Sequence, residues 1–213
     1  TPVDADVLAC FCETERRCIG NANAKHSTGR EPNDVLTDSL NRMATQAGLD
    51  PCKADGVGLG FPGIVDRTAG RVLATNAKYD DAAMLDLAAW ARANWGLSFH
   101  IENDARLAGI AEWRLGAGQG SDNLAVVTLG TGIGTCVITA GQVFRGPHGQ
   151  AGILGGHFTL DAQGPLCTCG NRGCAESLAS NVVLDAQVRA EAGFSSSLLA
   201  GEERIDYRKL FAA

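Results

Sequence analysis

Cys167-Thr168-Cys169-Gly170-Asn171-Arg172-Gly173-Cys174-Ala175-Glu176 carries three cysteines at C-x-C-x4-C spacing, and His157 stands ten residues ahead of the first of them. Thiolate and imidazole are the ligands Zn2+ prefers, and a tetrahedral site filled by four protein ligands keeps no open position for catalysis. His157, Cys167, Cys169 and Cys174 are therefore expected to close a structural zinc site. Gly170 and Gly173 permit the tight turns that such a knuckle needs. The plainer alternative is three reduced cysteines that merely cluster. Glu176 lies two residues past the last ligand, and whatever the metal braces is braced next to it.

The 213 residues are 45% apolar and 20% charged, the balance of a soluble globular protein with a real core. A net charge of −6 argues against a nucleic-acid-binding surface, which needs clustered Lys and Arg. There is no apolar run of about 18 residues to span a membrane and no charged-then-apolar signal segment. The eight cysteines are too unevenly placed for a disulfide framework, which points to a reducing, cytoplasmic setting. Thr1 opens the chain without an initiator Met and in mid-domain style, so a fragment is expected.

Alternating strands and helices indicate an α/β protein. Val7–Phe11 reads as a strand and residues 34–47 as an amphipathic helix. Val57–Phe61 reads as a buried strand, broken by Pro62-Gly63 before Ile64-Val65-Asp66. Met84–Trp95 is expected to be a helix ended by Gly96, Phe99–Ile101 a short strand, and residues 104–115 a further helix. Leu124–Leu129 and Thr135–Thr139 read as strands, with a hairpin turn at Ala140-Gly141 into Gln142-Val143-Phe144. Residues 176–192 look helical, and the tail to Ala213 looks polar and short.

Two constellations besides the knuckle could carry chemistry. Glu102-Asn103-Asp104 sits where a strand gives way to a helix. Asp104 there is either an ordinary N-cap or a carboxylate at a strand's carboxyl end, where α/β folds place active-site groups and a general base can act. Gly130-Thr131-Gly132-Ile133-Gly134, between two strands, is either a tight hairpin or a loop whose N–H groups converge on a phosphate. It is not a Walker A loop, since no Gly-Lys-Ser/Thr follows, nor a dinucleotide fingerprint, since a strand follows. His157 can ligate through one nitrogen and hydrogen-bond through the other. His148 reads as a loop residue.

In order, Gly58-Leu59-Gly60-Phe61-Pro62-Gly63-Ile64-Val65-Asp66, Glu102-Asn103-Asp104-Ala105, Leu129-Gly130-Thr131-Gly132-Ile133-Gly134, Gly155-Gly156-His157 and the cysteine run resemble the ROK family of repressors, open reading frames and sugar kinases. The resemblance covers about residues 50–182 and implies an actin/hexokinase-like (ribonuclease H-like) fold of two α/β lobes, truncated here at both ends. Residues 1–117 would be the partial amino-terminal lobe, and 118–213 the partial carboxy-terminal lobe with the phosphate loop and zinc knuckle. It implies ATP-dependent phosphorylation of a hexose or N-acetylhexosamine with Mg2+, and Asp104 as the base that takes the proton of the attacking hydroxyl. Asn76, Asn103, His157 and Glu176 would contact the sugar, Gly130, Thr131, Gly132 and Gly134 the nucleotide phosphates, and a homodimer is expected. Three departures stand out: no Asp-x-Gly-Gly-Thr strand turn, no glycine-rich segment to flank an adenine, and Ile153, Leu154 and Gly155 where hexose-binding members carry a Glu ahead of the zinc His. An intact Asp104 favours a kinase. The alternatives are the sugar-sensing effector lobe of a ROK-type repressor and a non-catalytic fragment.

Overall fold

The computed structural model describes residues 7–11 (backbone only), 56–75 and 82–212. The helix expected over 34–47 and the sugar contact expected at Asn76 lie outside the described residues. The chain forms two compact units, residues 1–107 with 147–150, and residues 108–146 with 151–213. The division falls at Leu107/Ala108, ahead of the 117/118 lobe boundary expected from the sequence.

In the first unit, β1 (Val7–Phe11), β2 (Gly56–Phe61) and β5 (Ser98–Asn103) form a parallel sheet in the order β1-β2-β5. Parallel neighbours need a crossover. Between β2 and β5 it contains the antiparallel hairpin β3 (Gly63–Asp66) and β4 (Arg71–Thr75), then helix α1 (Leu87–Trp95). Val57, Leu59 and Ile101 from the sheet, Val65 and Val72 from the hairpin, and Leu87 and Trp90 from α1 close one apolar core. β4 carried no sequence signal strong enough to be foreseen, because it is a hairpin partner with only Val72 buried.

Helix α1 starts later than the sequence suggested. Asp86 accepts a hydrogen bond from the Ala89 N–H (2.8 Å) and caps the helix, leaving residues 82–84 as a separate 3-10 turn. Its end is as expected: Gly96 adopts φ +70° and returns its N–H to Arg92 O. β5 then runs directly into α2 (Asp104–Leu115).

The second unit holds an antiparallel meander of β6 (Leu124–Leu129), β7 (Ile133–Thr139) and β8 (Gln142–Val143). Ala140 and Gly141 both have positive φ, as a two-residue hairpin turn requires. The helix expected over 176–192 is two helices, α3 (Ala175–Ala179) and α4 (Asn181–Ala190), because buried Ser180 turns extended between them. The tail, expected to be polar and short, carries α5 (Tyr207–Ala212), and Arg189 on α4 donates to the carbonyls of Glu202 and Glu203.

Gly109 sits mid-helix in α2, where a Cβ would stand 2.3 Å from the Cβ of buried Cys136 on β7. On helix propensity alone, Gly109→Ala would stabilise by about 1 kcal/mol. The clash reverses that sign, and overpacking of this kind costs about 1–3 kcal/mol. The variant should therefore unfold at lower urea than the wild type. A raised midpoint would show that this helix–strand contact is looser than described.

Candidate functional site

Among the described residues, those singled out from the sequence fall into two sets, one in each unit. In the first unit they occupy the β5–α2 corner. The Asn103 Oδ1 accepts from the Arg106 N–H (3.0 Å), the bond an N-cap makes to the third helical residue. Asn103 Nδ2 donates to Gly63 O (3.1 Å) and to Asp104 Oδ1 (3.2 Å). The amide is thus fixed at both ends, and its orientation follows from its partners. The capping duty contemplated for Asp104 is performed by Asn103. Asp104 is the first helical residue, with Oδ1 also accepting from the Ala105 N–H (2.8 Å).

Behind this corner lies an ion pair that the sequence reading missed. Arg106, 1% exposed, donates through Nη1 to Glu102 Oε1 (2.9 Å) and to Gly149 O (2.8 Å). Glu102 is itself buried, and its other oxygen meets Arg67 Nε at 3.2 Å. The Glu-x3-Arg spacing was a signal for it, though the pair straddles a strand end and a helix start rather than one helix face. The loop 147–150, which contains His148, is tied to this unit by the Gly149 contact.

In the second unit the knuckle comes together as expected. His157 ends a 3-10 turn that begins at Gly155, and residues 158–160 and 173–175 lie antiparallel, with Leu160 N–H donating to Gly173 O and Ala175 N–H to Phe158 O. Gly173 has φ +61°, and a Cβ there would fall 1.5 Å from Asp161 O, so no other residue fits. One ligand atom from each of His157, Cys167, Cys169 and Cys174 lies within 4.8 Å of all the others. Cys167 Sγ is 3.7 Å from His157 Nδ1, and Cys169 Sγ is 3.7 Å from Cys174 Sγ. A tetrahedron with metal–sulfur bonds of about 2.3 Å has edges of about 3.8 Å. A disulfide would need about 2.05 Å. The donor set and its spacing fit zinc, with Nδ1 as the imidazole ligand atom.

The glycine turn lies in the same unit. Gly130, Thr131 and Gly132 form the turn, whereas Ile133 and Gly134 already belong to β7, with Gly134 paired to Thr128. Glu176 is the second residue of α3, and its Oε2 accepts from the Ile133 N–H at 2.8 Å. That contact was not foreseen, since nothing in the local sequence of either segment announces it.

The thiols of Cys169 and Cys174 differ. The Asn171 backbone N–H beside Cys169 draws its thiol below the ordinary value. Burial and the neighbouring thiols push Cys174 up to about 11. A metal ion must therefore displace protons at neutral pH, and its apparent affinity should weaken about tenfold per pH unit for each proton displaced as pH falls. Elemental analysis should give one zinc per chain, and Cys169→Ser should lose it together with thermal stability. A metal-free chain that melts at the same temperature with and without added zinc would refute the metal assignment.

The sequence model of the ROK family matches residues 6–213. A xylose repressor of Bacillus subtilis is 32% identical over 177 residues, which are 83% of this chain and 42% of the repressor. A glucokinase of Thermotoga maritima is 36% identical over 162 residues, 74% of this chain and 50% of the enzyme. The crystal structure of a ROK family glucokinase from Streptomyces griseus in complex with glucose and AMPPNP shares 31% identity with a TM-score of 0.63, over 78% of this chain and 54% of that one. The chain thus spans about half the length of the relatives it matches. The neighbouring kinase structures imply the actin/hexokinase-like α/β fold. With the family match running across nearly the whole sequence, the chain belongs to the ROK family, whose members include both glucokinases and xylose repressors.

Proposed function

We propose that this chain carries the sugar-handling and phosphate-handling elements of a ROK sugar kinase, which transfers the γ-phosphoryl group of ATP to a hydroxyl of a hexose or N-acetylhexosamine. The observation that supports this most is the β5–α2 corner: Asn103 takes over the capping bond, and Asp104 is held as a fixed carboxylate at the helix start. In the proposed reaction Asp104 accepts the proton of the sugar hydroxyl as its oxygen attacks the γ-phosphorus. The new O–P bond forms while the bond from phosphorus to the bridging oxygen breaks, and ADP leaves. Phosphoryl transfer of this kind depends mainly on positioning and charge stabilisation, with one group to orient the nucleophile.

Asn103, His157 and Glu176 are assigned to sugar hydroxyls, with Asn76 as a further contact. The backbone of the segment Gly130, Thr131, Gly132 and Gly134 is assigned to the nucleotide phosphates, which glycines let an anion approach closely; within it the Gly130 N–H donates to Gly132 O (3.0 Å) and Gly134 pairs with Thr128. Mg2+ arrives with the ATP and neutralises charge between its phosphates. Zinc at His157, Cys167, Cys169 and Cys174 is structural and keeps His157 and Glu176 in place. A homodimer completes the proposal.

A second reading rests on the xylose-repressor relative, which covers more of this chain than the glucokinase does. In that reading the same residues bind a sugar as an effector and no phosphate moves.

A panel of hexoses and N-acetylhexosamines with Mg·ATP separates the two. At least one sugar should be phosphorylated, and Asp104→Asn should slow the transfer by about 10²- to 10⁴-fold. Calorimetry should find the sugar's dissociation constant nearly unchanged in that variant, because a base contributes in the transition state. Equal turnover in Asp104→Asn would remove the base assignment. Sugar binding without phosphorylation by the wild type would favour the effector reading.

A further inference from the structure

The Gly130–Ile133 turn is held by the start of α4 and by two segments that adjoin the candidate metal ligands. Its carbonyl at Gly130 accepts from the Asn181 N–H (3.0 Å) at the start of α4. Its Ile133 N–H donates to Glu176 Oε2 (2.8 Å) on α3. On the same side Gly156 lies against the Ile133 carbonyl, so closely that a Cβ would stand 2.1 Å from the oxygen. A Cβ on Gly132 would stand 2.3 Å from Glu176 Oε2, so a larger residue there would push on the carboxylate that holds the turn.

Two of these contacts come from residues within two positions of a metal ligand in the chain. Gly156 precedes His157, and Glu176 follows Cys174 by two residues, at the start of the helix for which Cys174 is the N-cap. When the four ligands are drawn together, the segments bearing Gly156 and Glu176 are fixed relative to each other. The turn is then gripped from both. A carboxylate hydrogen bond to a backbone N–H is charge-assisted and among the stronger single contacts a turn can have.

We infer that Glu176 is the strut through which the cysteine–histidine knuckle sets the shape of the Gly130–Ile133 turn, so that metal occupancy and the geometry of that turn are coupled. Glu176 is thus a positioning residue as well as a proposed sugar contact: Oε2 holds Ile133, which leaves Oε1 for a hydroxyl. That the turn then presents its backbone to phosphate rests on the kinase reading above. The strut itself does not.

Amide hydrogen exchange read residue by residue on the zinc-loaded chain tests this without sugar or nucleotide. In Glu176→Ala the Ile133 amide should exchange about ten- to a hundredfold faster. The Cys136 amide, deeper in β7, should stay slow. Glu176→Gln keeps an acceptor oxygen and should restore most of the protection. Removing zinc from the wild type by chelation should release the Ile133 amide as Glu176→Ala does. Unchanged Ile133 exchange in Glu176→Ala, or no rescue by Glu176→Gln, would overturn the strut. Fast exchange in Glu176→Ala with slow exchange after chelation would overturn its coupling to the metal. If Cys136 also became fast in Glu176→Ala through loss of the fold, the Glu176→Gln variant with and without zinc would decide: slow then fast supports the coupling, and the same rate in both overturns it. Absence of phosphoryl transfer would sink the kinase reading and leave these amide rates to stand on their own.

Discussion

A buried guanidinium sets the terms for the first unit. Arg106 is almost wholly withdrawn from solvent, and a charge in that position is tolerable only if it is paired and hydrogen-bonded. Glu102 and the carbonyl of Gly149 supply the partners. Satisfying Arg106 consequently fixes the end of β5, the first turn of α2 and the loop 147–150 at one point, and Asn103 and Asp104 are carried along. Removing one member of such a pair typically costs about 3–5 kcal/mol, because the other is left buried and alone. The outer contact from Arg67 is half exposed and contributes far less.

The second unit solves a similar problem with a metal-type cluster instead of an ion pair. The knuckle's segments are short and poor in apolar burial: Phe158, Leu160 and Leu166 all face outward. Little hydrophobic stabilisation is available to hold such a loop, and four ligands around one ion can replace it, since metal-binding energy is then folding energy. Cys174 is fully buried with its thiol pushed up, and Cys169 is exposed with its thiol drawn down.

On either reading proposed above, kinase or effector lobe, both arrangements would hold polar groups in place for a sugar. A repressor needs the sugar contacts, and a kinase needs in addition a base and a phosphate cradle. Asp104 at a capped helix start and a glycine turn locked by Glu176 are the features that bear on that difference.

Much of this was legible in the sequence because the determinants are local. The C-x-C-x4-C run with His157 predicted the metal-type cluster from ligand chemistry alone, and Asp104 marked the helix start. Gly96 marked the end of α1, and Ala140-Gly141 marked the hairpin. Boundaries failed where a local feature overrode the apolar pattern: the Asp86 side chain caps α1, and the backbone turns extended at Ser180 between α3 and α4. The long-range contacts were out of reach. Glu102 joins Gly149 through Arg106, and Glu176 meets Ile133 across 43 positions of chain. Residue type and spacing determine which groups can bind a metal, cap a helix or turn a hairpin, because those choices are made within a few residues. Only tertiary structure decides which distant backbone amide a carboxylate will hold, because that depends on how separate segments are brought side by side.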